Sequence, residues 1–218
     1  MINYSFNEEI QLPLLNDILT GNLSIPENAK GIVVFAHGSG SSRNSSRNRY
    51  VAEQLQQAGF ATLLFDLLTP EEDQNYDNRF NIDLLTSRLV MASDWIQQDD
   101  RTAGMAIGYF GASTGAAASL RAAAELGDLI GAVVSRGGRP DLAEPFLLQV
   151  RTPTLLIVGS LDTDVIRLNE KAFSMLRVQK EIRIVPGASH LFEEPGKLEE
   201  VAKLAVDWFE KYLVSVVT

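Results

Sequence analysis

Short apolar runs alternate with helical patterns along most of this chain, and that alternation restricts the fold more than any other feature. Continuous apolar runs of this kind are typical of strands buried on both faces, as in a parallel sheet covered by helices. After the N-terminal segment the predicted strands cover 31–36, 61–65, 105–110, 130–135, 154–158 and 181–185. The predicted helices cover 47–58, 81–97, 114–126, 141–149, 165–177 and, at the C-terminus, 201–213. The sequence therefore predicts the α/β class, with a mostly parallel sheet and helices on both faces.

Three segments depart from the simple alternation of apolar strands and helices. Residues 9–25 suggest an antiparallel hairpin that turns at Thr20-Gly21-Asn22, since glycine and asparagine favour tight turns. Residues 69–79 are polar and acidic, which predicts a surface loop. The uncharged stretch 102–120 is long enough for a membrane span, but its four glycines and several hydroxyl residues indicate a buried strand, turn and helix instead.

Composition and charge narrow the class of function. The length of 218 residues favours one domain over 1–218, and 19 basic against 28 acidic residues give a net charge of −9. A surface this acidic repels phosphate backbones, so we expect no nucleic-acid partner. The absence of cysteine excludes disulfides and thiolate nucleophiles, and with only two histidines a metal site has little support, so no cofactor is expected. The N-terminus carries no targeting pattern, so we expect a cytoplasmic protein without membrane association.

The most informative motif is Gly111-Ala112-Ser113-Thr114-Gly115, which follows a predicted strand and opens an alanine-rich predicted helix. It matches G-x-S-x-G in the strand–turn–helix context which that motif requires. A tight turn would expose the hydroxyl of Ser113 at the carboxyl edge of the sheet, with a helix N-terminus behind it. Small residues at such places also permit close packing of a helix on a strand, but the context favours Ser113 as a nucleophile.

A serine nucleophile needs a base and an orienting carboxylate. His190 lies in the loop after the last predicted strand and is one of only two histidines. Asp162 and Asp164 both follow the penultimate strand. Asp162 is nearer to the strand end, whereas Asp164 is a candidate cap for a helix that begins near Val165. We predict Ser113, Asp162 and His190 as the catalytic residues, in the chain order nucleophile, acid, histidine.

The loop His37-Gly38-Ser39-Gly40 follows the first buried strand. We expect it to supply one backbone N–H of an oxyanion hole, from Ser39, while Thr114 supplies the other. His37 itself is expected to brace the loop. In a rival interpretation the glycines cradle a phosphate, but the dinucleotide fingerprint is incomplete because Arg43 stands where the third glycine belongs.

Two groups of arginines also follow predicted strands: Arg43, Arg47 and Arg49 in one group, and Arg136 and Arg139 in the other. In an acidic chain such residues commonly form structural ion pairs. The alternative is that Arg43 or Arg136 binds a carboxylate or phosphate of the substrate.

From about residue 30 to the C-terminus, the sequence resembles the α/β-hydrolase superfamily and, within it, the dienelactone hydrolase-like group. The resemblance rests on HGSG at 37–40, GASTG at 111–115, GSLDTDV at 159–165 and PGASHLF at 186–192. It implies an α/β-hydrolase fold in which Ser113 is the nucleophile, Asp162 the acid and His190 the base. The namesake enzymes use a cysteine nucleophile, which this chain lacks, so the resemblance implies an esterase or thioesterase rather than dienelactone hydrolysis.

The segment 136–153 between two predicted strands is too short for a large lid, which favours small soluble substrates. The leading interpretation is therefore hydrolysis of a carboxylic ester or thioester through an acyl-enzyme. The same residues would serve a peptidase, a perhydrolase or an acyltransferase. A third possibility is a non-catalytic protein that binds a small molecule on the same scaffold, although a pure binder has no need of three catalytic groups in order. No pattern fixes the oligomeric state.

Overall fold

A computed structural model describes residues 2–15 and 17–213. Its eight strands form one sheet in the order β1-β2-β4-β3-β5-β6-β7-β8. The strands are β1 (Tyr4–Pro13), β2 (Ile18–Pro26), β3 (Ile32–Ala36), β4 (Ala61–Phe65), β5 (Ile107–Ala112), β6 (Ile130–Arg136), β7 (Thr154–Gly159) and β8 (Lys180–Val185). Strands β3 to β8 pair in parallel, whereas β2 pairs antiparallel with both β1 and β4. The predicted mostly parallel sheet is confirmed.

Helices cover both faces of that sheet. They are α1 (Ser46–Gln57), α2 (Pro70–Asp73), α3 (Ile82–Gln98), α4 (Thr114–Leu126), α5 (Thr163–Met175) and α6 (Lys197–Tyr212). In addition, 3-10 segments cover Tyr76–Phe80, Gly127–Leu129 and Pro140–Gln149. Helices α1 and α6 share one hydrophobic core, and α3, α4 and α5 share the other.

The two cores lie on opposite faces because side chains alternate along each strand. In β3, Val33 and Phe35 belong to the core beneath α1 and α6, while Ile32 and Val34 belong to the core beneath α3 and α4. All of these side chains are buried. This explains why the strands appear in the sequence as continuous apolar runs rather than as alternating patterns.

The predicted turn of the N-terminal hairpin is wrong. Residues 20–22 lie inside β2, and the chain turns between Pro13 and Ile18, where the amide of Leu14 donates to the carbonyl of Asp17. Gly21 has another purpose: a Cβ there would lie 3.1 Å from side-chain atoms of two β4 residues. The glycine thus permits close strand packing, and the antiparallel hairpin itself is confirmed.

The predicted surface loop at 69–79 contains more regular structure than expected. Thr69 caps α2 through a capping box, in which its hydroxyl accepts from the amide of Glu72 and the Glu72 carboxylate accepts from the amide of Thr69. A 3-10 turn follows at Tyr76–Phe80. The predicted helix at 141–149 is instead a 3-10 segment, and Pro145 within it cannot donate the hydrogen bond that an α-helix needs.

The uncharged stretch at 102–120 forms a loop, strand β5, a turn and the first half of α4, as predicted. Over residues 2–15 and 17–213, no helix has both the length and the apolar character needed to span a membrane.

Candidate active site

Ser113 occupies a strained turn between β5 and α4. Its backbone has φ 51° and ψ −117°, a conformation that residues with side chains rarely adopt. Its amide donates to the carbonyl of Arg136 at 3.2 Å, which fixes the turn to the neighbouring strand β6. The side chain of Ser113 is partly exposed, although the residues on either side of it are buried. The turn therefore presents one hydroxyl at the carboxyl edge of the sheet.

The glycines of the motif are required by close backbone contacts. A Cβ on Gly111 would lie 2.5 Å from the Cα of Ala116, so the strand and the helix could not approach as they do. A Cβ on Gly115 would lie 2.5 Å from the carbonyl oxygen of His37 and closer still to that of Ala36. Gly115 thus lets the start of α4 pack directly against the loop that follows β3.

Asp162 and His190 meet across the loops that follow β7 and β8. The Nδ1 atom of His190 lies 2.5 Å from Oδ2 of Asp162. Asp162 occupies the N-cap position of α5 but makes no capping bond with its side chain, so the carboxylate is directed to the imidazole. Helix α5 begins at Thr163, two residues before the predicted start at Val165. Asp164 lies in the first turn of the helix, is well exposed, and pairs with Arg167.

Backbone contacts hold these two loops together. The amide of Leu161 donates to the carbonyl of Ala188 at 3.0 Å, and the amide of Gly187 donates to the hydroxyl of Ser160 at 2.7 Å. A Cβ on Gly159 would collide with the carbonyl of Ala188. The aspartate loop and the histidine loop therefore pack as one unit.

The histidine ring lies beside the residues that anchor Ser113. A Cβ on Gly137 would lie 3.4 Å from both Nδ1 and Cε1 of His190. Gly137 directly follows Arg136, the residue whose carbonyl accepts from the amide of Ser113. The three predicted catalytic residues consequently gather at the carboxyl ends of β5, β7 and β8.

The loop after β3 approaches the other side of Ser113. A Cβ on Gly38 would lie 3.1 Å from the Cβ of Ser113. Ser39 and Thr114 line one small pocket beside it. Thr114 is the first residue of α4, so its N–H has no partner within the helix. The two predicted oxyanion donors are thus neighbours of the same space.

His37 is buried and hydrogen-bonded at both ring nitrogens. Its Nε2 accepts from the amide of Leu67 at 3.1 Å, so Nδ1 carries the proton and donates to the carbonyl of Gly38 at 3.0 Å. Burial lowers the pKa of His37 below its usual range, against smaller opposing effects from the Gly38 carbonyl and nearby carboxylates. The neutral ring ties the loop after β3 to the segment after β4.

Because His37 is buried and neutral, we expect the protein to lose stability in mild acid. The folded-state pKa of His37 lies below the unfolded value of about 6.5, so the unfolded chain binds the proton first as the pH falls. His37 should therefore contribute its full stability above that pH and lose it progressively below. Urea unfolding between pH 7 and 5 should show a smaller pH dependence for His37→Gln than for the wild type. His190→Ala is the matched control, and an equal reduction in both variants would contradict this role.

Arg43 is one of the two predicted substrate-binding arginines. It contacts side chains of the N-terminal hairpin and of the loop that follows β4. Its Nε lies 3.1 Å from Asp66, one Nη lies 3.0 Å from Glu9, and the other donates to Asn22 at 2.7 Å. We assign Arg43 to joining these segments, and its contact with substrate stays a prediction. Arg136, the second candidate, is buried next to the Ser113 turn.

No pattern in the sequence pointed to Arg79, which lines the small pocket together with Ser39 and Thr114. Its Nε and one Nη donate to the carboxylate of Asp73 at 2.7 and 2.8 Å. The pair brings the 3-10 turn at Tyr76–Phe80 to the rim of the site. Within residues 2–15 and 17–213, His, Cys, Asp and Glu side chains form no group of three that could bind a metal ion.

The sheet is mostly parallel and is covered by helices on both faces. A serine occupies a strained strand–turn–helix element, and a hydrogen-bonded Asp–His pair lies beyond later strands. Together these features define the α/β-hydrolase class. The chain belongs to the dienelactone hydrolase family, whose model matches residues 19–214. Its structure is similar to that of dienelactone hydrolase from Anabaena variabilis ATCC 29413, with a TM-score of 0.92 and 56% identity over 95% of this chain and 98% of that chain.

Other relatives show similarity of sequence or of fold. Two Mycobacterium tuberculosis proteins, from strains CDC 1551 / Oshkosh and ATCC 25618 / H37Rv, are each named "Putative phosphoribosyl transferase" and are 57% identical over 207 residues. That match covers 95% of this chain but 47% of theirs, so the chain spans about half the length of these relatives. Est1E from Butyrivibrio proteoclasticus shares the fold alone, with a TM-score of 0.81, 16% identity, and coverage of 94% of this chain and 98% of that one.

Proposed function

We propose that this protein hydrolyses a carboxylic ester or thioester of a small soluble substrate through an acyl-enzyme on Ser113. The observation that carries the proposal is the 2.5 Å contact between His190 Nδ1 and Asp162 Oδ2, made in loops that lie beside the strained serine turn. An imidazole held by a carboxylate next to an exposed serine hydroxyl is the arrangement that activates serine for attack on a carbonyl.

Each residue then has a defined part in the reaction. Asp162 accepts a hydrogen bond from the Nδ1–H of His190, which fixes the tautomer that has its lone pair on Nε2 available as a base. As Ser113 Oγ bonds to the substrate carbonyl carbon, its proton passes to His190. The carbonyl oxygen becomes an oxyanion, for which the amides of Ser39 and Thr114 are the donors. His190 returns the proton to the leaving alkoxide or thiolate, and water then releases the acyl group by the same steps.

The surroundings of the site favour small substrates. The segment between β6 and β7 holds only the 3-10 segment Pro140–Gln149, so no large lid is built there. Tyr76 and Phe80 carry exposed aromatic rings. They lie on the same 3-10 turn as Arg79, which lines the pocket. The mycobacterial relatives are about twice as long as this chain, so their name describes more than the part that matches. The residues of this chain support hydrolysis.

A fluorophosphonate probe and intact-mass measurement test the nucleophile directly. We expect one adduct on the wild type and none on Ser113→Ala, because the probe reacts only with an activated serine. Ser174→Ala, at a surface position on α5, is the matched control and should keep the adduct. A wild type without an adduct would favour a binding protein on this scaffold, and an adduct on Ser113→Ala would identify another nucleophile. Short esters, thioesters, amides and acyl acceptors would then separate the hydrolase from a peptidase or acyltransferase.

A further inference from the structure

Arg136 is a buried cation without an acidic partner. It is the last residue of β6, pairs with Ala112 in the sheet, and is 6% exposed. Its Nε is buried and has no hydrogen-bond acceptor, and one Nη reaches Oδ1 of Asn48 only at 3.4 Å. No carboxylate among the described residues lies within ion-pair distance of it, although acidic residues outnumber basic ones in this chain. Buried charges are normally paired, because an unpaired charge removed from water is strongly destabilising.

A second arginine increases this unbalanced charge. Arg47 lies in the first turn of α1, next to Asn48, and its Nε is also buried without an acceptor. One Nη of Arg47 lies 2.9 Å from the exposed carboxylate of Glu193, which stands three residues after His190. Burial, and then the nearby charge of Arg47, lowers the pKa of Arg136 to about 10, so the guanidinium group of Arg136 is still charged at neutral pH.

The surroundings suit an anion with several oxygen atoms. Two guanidinium groups offer planar donors that match a carboxylate or phosphate. The first turn of α1 adds the positive end of a helix dipole, and Asn48, which is buried there, adds an amide. Glu193, the carboxylate paired with Arg47, is mostly exposed to solvent, so it neutralises only part of the charge.

We propose that Arg136 and Arg47, together with Asn48 and the first turn of α1, form a binding site for an oxyanion, either a carboxylate or a phosphate group. The site lies beside β5, which ends at Ala112 directly before Ser113, and next to Glu193, which follows His190 by three residues. The anion is carried by the substrate or is a free inorganic ion. The substrate source rests on the proposed hydrolase function, whereas binding of the anion does not.

Thermal unfolding in inorganic phosphate tests binding without any need for catalysis. At matched ionic strength, phosphate in about 100-fold excess over Kd should raise the Tm of the wild type by on the order of 5 °C relative to chloride. Arg136→Met and Arg47→Gln should lose that rise. Arg183→Gln, which removes an exposed arginine paired with Glu181 on β8, is the charge-matched control and should keep it.

Arg47→Gln carries this test even if Arg136→Met fails to fold, because Arg47 is partly exposed. The proposal is overturned if phosphate stabilises the wild type no more than chloride does, or if Arg47→Gln keeps the full rise in Tm.

A matched pair of esters identifies the source of the anion. One ester should end in a carboxylate and the other in an uncharged amide of the same length. If the substrate supplies the anion, the wild type should prefer the acidic ester by about 10- to 100-fold in kcat/KM, and Arg47→Gln should bring that ratio close to one. An unchanged ratio, with phosphate stabilisation lost in the variant, assigns the site to a free inorganic ion. If neither ester is cleaved, the proposed hydrolase function fails while the binding result still stands.

Discussion

Replacing Asp162 by asparagine should lower kcat for a short ester about 10⁴-fold, the effect that loss of the orienting carboxylate has in serine hydrolases. An amide at this position can donate to Nδ1 of His190, which would hold the ring in the tautomer that cannot act as a base at Nε2. Asp164→Asn is the matched control, since Asp164 lies two residues away, is exposed, and pairs with Arg167. Steady-state kinetics on the two variants would measure the difference.

The control should change kcat by less than about threefold, because an exposed ion pair contributes little. Equal losses in the two variants would mean that the helix start, rather than the bond to His190, governs activity. A full loss in Asp164→Asn alone would move the acid to that position.

Gly115→Ala should reduce the free energy of unfolding by at least about 3 kcal/mol, toward the large end of the effects that single substitutions produce. The added methyl group would lie 2.5 Å from the carbonyl oxygen of His37 and closer still to that of Ala36, and neither backbone group can move without displacing β3 or its loop. Any folded fraction should have low esterase activity, because the loop that holds Ser39 must shift away from Ser113. Denaturant unfolding and ester hydrolysis, both on the purified variant, would measure the two effects.

Gly104→Ala is the comparison for that substitution. Gly104 has φ 82°, but a Cβ there would meet nothing within 4 Å. It should therefore show only the cost of a left-handed backbone, about 1 kcal/mol, with full activity. Gly115 has no left-handed backbone, so a similar loss of stability in both variants would show that the collision with the loop after β3 costs far less than expected.

The sequence was most informative where one local pattern has one structural cause. Strand β4 and helix α4 have the predicted boundaries, since a continuous apolar run and an alanine-rich helix after G-x-S-x-G leave few alternatives. The hairpin turn was mispredicted because Gly21 satisfies a contact with β4, a strand that is distant in sequence. A glycine required for packing and a glycine required for a turn look the same in a sequence.

The candidate site shows the same contrast between local sequence patterns and contacts that are distant in sequence. Chain order and strand ends predicted Ser113, Asp162 and His190 as catalytic residues. The structure brings them to one edge of the sheet, and their catalytic roles stay a prediction. The charged partners of the arginines could not be predicted, because ion pairing depends on which side chains the fold brings together. Arg43 meets Glu9 and Asp66 through the hairpin, whereas Arg136 meets another cation. Arg79 enters the site through a 3-10 turn that its polar sequence did not reveal.

The bonds between the loops after β7 and β8 have a consequence for the proposed hydrolysis. Because Leu161 is bonded to Ala188 and Gly187 to Ser160, the two loops hold Asp162 and His190 together before any substrate arrives. Binding energy from the substrate is then not consumed in ordering the Asp–His pair and can be applied to the transition state. Substrate preference is left to elements outside that preorganised pair, so the rim of the site can diversify while the chemistry beneath it stays the same.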